Sequence, residues 1–139
     1  MKITFIGGGN MAAAILGGLA RDGFDAGSVN IVEPVAAARD QLSQRFAVAV
    51  AGSVGELAAI GDVVVLAVKP QQMREVALAL APQLAKLASK PVMLSIAAGI
   101  RLQDLQRWLG GHAQLARCMP NTPALIGAGI SAVYAAPAV

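Results

Sequence analysis

Apolar residues along the chain fall into short β-rich runs that alternate with longer Ala- and Leu-rich stretches of helical period. Residues 2–6 predict a strand, a glycine turn follows, and residues 11–21 predict a helix. Residues 30–32 predict a second strand ending before Glu33, and 35–45 a helix that opens just after Pro34. A third strand is expected over 46–50. Ser53 and Glu56 have capping-box spacing and predict a short helix, which gives way at Gly61 to the run 62–68. That run is apolar from Val63 onward, the mark of a strand buried on both faces at the centre of a parallel sheet. Lys69-Pro70 stops it and starts a helix over 71–87; strands over 91–96 and 114–119 flank a helix over 102–109, and 130–134 adds one more strand. The alternation predicts a single α/β domain built on a doubly wound, mostly parallel sheet with right-handed crossovers. Ligands of such a sheet bind at the carboxyl ends of its strands.

Composition narrows the picture. With 139 residues, 56% hydrophobic and 14% charged, the chain builds one core and is neither disordered nor collagenous. Cys118 is the single cysteine and His112 the single histidine, so neither a disulfide framework nor a metal site is expected, and a reduced, cytoplasmic setting follows. Cys118 lies in a strand pattern and is expected as a buried, inert thiol; His112 follows Gly110-Gly111 and is expected to be exposed. The net charge of +3 comes from scattered residues with few aromatics, which disfavours nucleic acid and leaves small anionic molecules as partners. Residues 1–20 superficially resemble a secretory signal, but Gly7, Gly8, Gly9 and Asn10 interrupt the apolar helix that such a signal needs. Residues 118–139 carry no charge, yet Pro120, Asn121, Pro123 and Pro137 would leave backbone groups unpaired in lipid. That segment is expected as buried structure with no membrane partner.

Candidate chemistry sits at the predicted strand ends. Gly7, Gly9 and Ala12 form a G-x-G-x-x-A turn between strand and helix: Gly7 permits the turn, Gly9 lets the backbone approach a pyrophosphate, and Ala12 lets the helix pack close to the sheet. By itself such a turn also serves simply to join a strand to a helix. Glu33, about twenty residues on, is placed to accept hydrogen bonds from ribose hydroxyls, the Rossmann-type arrangement, or else is a surface residue at a strand end. A 2′-phosphate about 4 Å from its carboxylate would meet several kcal/mol of repulsion at an effective dielectric near 20, which favours NADH over NADPH. Arg39 either relieves that repulsion or is a solvated helix residue. Lys69 brings a point cation to the fourth strand end, unless it is a solvated residue before a helix. The small residues from Ser95 to Gly99 let a flat ring approach the main chain or serve tight turn packing, and Asn121 offers an amide to a ligand or stiffens a turn.

Phe5-Ile6-Gly7-Gly8-Gly9-Asn10-Met11, Ala67-Val68-Lys69-Pro70-Gln71, Ser95-Ile96-Ala97-Ala98-Gly99 and Arg117-Cys118-Met119-Pro120-Asn121-Thr122-Pro123 together resemble the pyrroline-5-carboxylate reductases, essentially over the whole chain. The resemblance implies reduction of 1-pyrroline-5-carboxylate to L-proline with NADH or NADPH. It places the cofactor on Ile6, Gly7, Gly8, Gly9, Asn10, Met11, Ala67, Val68, Lys69, Pro70, Ile96, Ala97 and Ala98, with Asn121 near the nicotinamide. Family members continue into a helical C-terminal domain that builds a dimer and most of the substrate pocket. A homo-oligomer is therefore expected for the full-length enzyme, no catalytic residue is assigned within these 139, and the chain alone is expected to turn over poorly. Members that prefer NADP tend to carry a small hydroxyl residue where Glu33 stands and a polar one where Val54 stands, so both departures lean towards NADH. A dinucleotide-binding module without activity, and a reductase of another small imine or keto acid, are the alternatives.

Overall fold

The computed structural model describes all 139 residues. The chain runs β1 (Ile3–Ile6), α1 (Asn10–Arg21), β2 (Val29–Val32), α2 (Ala36–Phe46), β3 (Ala49–Ala51), β4 (Val63–Leu66), α3 (Pro70–Ala85), β5 (Val92–Ser95), α4 (Leu102–Trp108), β6 (Leu115–Pro120) and β7 (Ser131–Ala135). The strands form one sheet in the order β3-β2-β1-β4-β5-β6-β7, parallel except for β7, which pairs antiparallel with β6. β1 lies between β2 and β4, with Phe5 opposite both Ile31 and Val65. All four of its residues are buried, as a strand with helices on both faces requires.

Alternation of side chains along the strands divides the core in two. Ile3, Phe5, Ile31 and Val65 pack with Ala12 and Leu16 of α1 and Leu42 of α2. Val64, Leu66, Met93 and Leu115 face the other way, onto Met73, Ala77, Leu80 and Leu84 of α3 and Leu105 of α4. The α3 positions recur at intervals of three and four, the spacing of a single helix face. The first two helices thus cover one side of the sheet and the last two the other.

Several expectations need correction. Phe46 closes α2 instead of starting a strand: Ala47 adopts a left-handed conformation (φ 56°) that ends the helix, and β3 begins only at Ala49. Residues 54–56 form a single 3-10 turn. Ser53 donates its hydroxyl to Glu56, at 2.9 Å, instead of accepting a helix amide, so the capping box does not form. His112 is buried, not exposed. The left-handed Gly110 and Gly111 turn the chain inward, and Nε2–H donates to the Pro91 carbonyl at 2.7 Å. Cys118 is half-buried, and residues 121–139 are exposed almost throughout, including all five residues of β7. The physical reason is that β7 is the last strand of the sheet and neither helix layer extends over it.

The buried Thr4 hydroxyl accepts the Gly61 N–H at 2.9 Å, tying the segment before β4 to β1. Thr4→Val keeps the shape and removes the acceptor; it is expected to cost about 1–3 kcal/mol in urea unfolding, because the amide is left unpaired.

Candidate functional site

The chain reverses its direction of winding between β1 and β4. These two strands are neighbours, yet α1 leaves β1 towards one side of the sheet and α3 leaves β4 towards the other, which opens a crevice at their carboxyl ends. Gly7 lines it at φ +99°, and a Cβ there would stand 2.7 Å from the Ala67 carbonyl oxygen and 3.1 Å from Val68 Cγ1. Only glycine fits. The turn is held on both sides: Gly7 N–H donates to Val32 O and Ala67 N–H to Ile6 O, each at 2.8 Å. At Gly9, by contrast, a Cβ would meet nothing within 4 Å, so that side of the turn is open.

Gly9 is also the N-cap of α1. No side chain caps this end and no acidic residue lies in its first turn; the first closing bond runs from Ala13 N–H to Gly9 O at 3.0 Å. The amides of Asn10, Met11 and Ala12 precede that bond and have no acceptor within the helix, so they carry the partial positive charge of the helix end. Such an end suits a phosphate. Ile6 is buried beneath the turn, Met11 is half-buried and Asn10 exposed.

Glu33 follows β2 directly. Its Oε2 accepts the Gly8 N–H at 3.0 Å and its Oε1 the Val35 N–H at 2.9 Å, so the carboxylate is aimed at the glycine turn from the next strand. Each oxygen keeps room for a further donor. Arg39 Nη1 donates to the Glu33 and Pro34 carbonyls, both at 2.8 Å. Beside it, after β3, the Glu56 carboxylate accepts Gly52 N–H and Ser53 hydroxyl, both at 2.9 Å. Those two bonds, the Gly52 amide first, hold Glu56 below the usual carboxylate range, and the Arg39 charge adds to them. The pair of Arg39 and Glu56 was not legible as such: the Ser53 to Glu56 spacing pointed to a helix cap, and nothing local in the sequence brings the two residues together.

On the other side of the crevice, Lys69 is exposed at the N-cap of α3 with Pro70 in the first turn, so a second uncapped helix end faces the same edge. Ile96 N–H donates to Leu66 O at 3.2 Å and Ala97 N–H to Ser95 Oγ at 3.4 Å; Ala97 is buried and Ala98 exposed. Asn121 follows β6. Its Oδ1 accepts Ile130 N–H at 2.9 Å, bridging a loop whose 3-10 turn, Thr122–Ile126, packs against α1. The amide NH₂ of Asn121 makes no hydrogen bond and is left to meet a ligand. Every singled-out residue therefore lies at one edge of the sheet, with Asn121 the farthest from the crevice.

A doubly wound sheet with a glycine turn at its switch point is a Rossmann-type architecture, and comparison with known proteins gives its family. Residues 2–99 match the family described as NADP oxidoreductase, coenzyme F420-dependent, and the chain belongs to that family. It is 46% identical to the pyrroline-5-carboxylate reductase of Pseudomonas aeruginosa over 134 residues, 96% of this chain and 48% of that protein. Among solved structures, a pyrroline-5-carboxylate reductase from Coxiella burnetii superposes with a TM-score of 0.92 at 35% identity, over 99% of this chain and 50% of the other. The Plasmodium falciparum pyrroline carboxylate reductase with NADP bound matches with a TM-score of 0.82 at 26% identity, over 100% and 49%. The chain spans about half the length of these relatives.

The two glycines of the turn separate by substitution. Gly7→Ala combines a disfavoured φ with a clash against main chain and is expected to cost more than about 2 kcal/mol in denaturant unfolding. Gly9→Ala, in open space, is expected to cost less than about 1 kcal/mol.

Proposed function

We propose that residues 1–139 form the cofactor-binding domain of a reductase that converts 1-pyrroline-5-carboxylate to L-proline. The observation that carries this reading is the meeting of the Gly7–Met11 turn, the uncapped start of α1 and the Glu33 carboxylate at one crevice. The sequence likeness to pyrroline-5-carboxylate reductases supports the substrate. A bound reduced nicotinamide dinucleotide supplies the hydride that the C=N carbon of the substrate receives.

The residues present fit that cofactor. Amides of Asn10, Met11 and Ala12 meet the pyrophosphate charge, and Gly9 leaves space for its close approach. Glu33 receives the ribose hydroxyls. Ala67, Val68, Lys69 and Pro70, with Ile96, Ala97 and Ala98, wall the far side of the crevice and orient the nicotinamide, while the Asn121 amide faces its outer end. Hydride transfer needs a partner proton at the imine nitrogen, and none of these residues is assigned to deliver it. The partner is thus a small molecule, and the setting cytoplasmic; the whole enzyme is a homo-oligomer.

Glu33 makes NADH the preferred cofactor. With the ribose on Glu33, a 2′-phosphate would lie against its carboxylate, whose acceptors suit hydroxyls and not phosphate oxygens. Calorimetric titration of the chain with each dinucleotide tests this: NADH is expected to bind more tightly than NADPH, and Glu33→Ser to cut the preference at least about tenfold, or 1.4 kcal/mol. Gly9→Ala is expected to weaken both. Binding of neither by the parent chain would overturn the proposal. In the same cell, 1-pyrroline-5-carboxylate is expected to be reduced only slowly by the 139-residue chain.

A further inference from the structure

The corner beyond Glu33 holds an arginine and a second carboxylate whose arrangement the ribose contact does not explain. Arg39 is half-buried on α2, and a single nitrogen of its guanidinium, Nη1, donates to two successive carbonyls, Glu33 O and Pro34 O, at 2.8 Å each. Glu56 comes from the turn after β3 and is committed to Gly52 N–H and Ser53 hydroxyl. Both side chains border Gly52: a Cβ there would lie 3.3 Å from each Glu56 oxygen and 3.4 Å from Arg39 Nη1.

We propose that Arg39 acts as a positioning residue that fixes the Glu33-Pro34 main chain, so that the corner discriminates against a 2′-phosphate. The inference rests on the reading that the crevice takes a dinucleotide. Its physical basis is the allocation of donors and charges. An arginine that clamps a phosphate offers its planar fork of N–H groups to the oxygens. Here one arm of that fork, Nη1, is turned onto main-chain carbonyls, where it pins the peptide carrying Glu33. With that peptide fixed, the Glu33 carboxylate is kept against Gly8 and Val35 instead of swinging into solvent, and its free acceptor sites point to where hydroxyls would bind.

Arg39→Met, which keeps the stem and removes the donors, separates the possible roles through three readouts: the dissociation constants for NADH and for NADPH, and amide hydrogen exchange at Gly8 and Val35 without cofactor. The expected result is weaker NADH binding, a NADH-to-NADPH preference reduced about tenfold, and faster exchange at both amides. Arg39→Lys, which keeps the charge on a single-headed donor, is expected to move all three less far in the same direction. Selective loss of NADPH binding in Arg39→Met would identify a phosphate clamp and overturn the proposal. Equal weakening of both cofactors, or exchange at Gly8 and Val35 unchanged from the parent, would overturn it as well. Should the parent bind neither dinucleotide, the reading of the crevice fails, and the exchange rates still report separately whether Arg39 holds Glu33 in place.

Discussion

Main chain touches main chain where Gly7 meets Ala67, and most of the molecule is arranged around that approach. Because no Cβ fits between Gly7 and the Ala67 carbonyl, β1 and β4 stay paired to their last residues, and the ladder continues one step into both turns. Because right-handed crossovers run from β1 to β2 in one direction and from β4 to β5 in the other, the helices that follow leave on opposite sides of the sheet. Everything placed at this edge, the free amides of α1, Glu33 from β2 and Lys69 ahead of α3, owes its position to a backbone contact that one methyl group would destroy.

Electrostatics at the edge is uneven along its length. Towards β4 and β5 it is built from small side chains and one exposed lysine; towards β2 and β3 it is crowded with Glu33, Arg39 and Glu56, all hydrogen-bonded to main chain. Charges that are tied to the backbone reorganise little when a ligand arrives, so discrimination there is built in before binding. On the lysine side nothing restrains the cation, and it adjusts to whatever anion it meets.

The architecture was legible because its signals are local and repeated. The glycine turn between β1 and α1, the unbroken apolar run of β4 and Lys69-Pro70 before α3 each specify an element without reference to the rest of the chain. Glu33 could be placed for the same reason, since its distance from the turn is set by one helix and one strand. What failed was set by tertiary context. Phe46 looks like the start of a strand, but it is drawn into the helix side of the core, and only the left-handed Ala47 then turns the chain. His112 reads as a loop histidine until two positive-φ glycines bend it onto Pro91. Arg39 and Glu56 belong to different βα units, and only the pairing of β2 with β3 brings their turns side by side.

The outer edge of β7 has a consequence for how the molecule behaves in solution. From Ser131 to Ala135 the strand carries neither a proline nor a charged residue, and it presents a free row of amide and carbonyl groups with Val133 and Tyr134 exposed on its two faces. Sheet edges of this kind are templates for strand addition. A net charge of +3 carried elsewhere does little to keep two such edges apart, because screening at physiological salt confines each charge to within about 8 Å. Colloidal stability at this edge therefore depends on its being occupied by another strand, and a concentrated solution with the edge bare favours growth of one sheet onto the next.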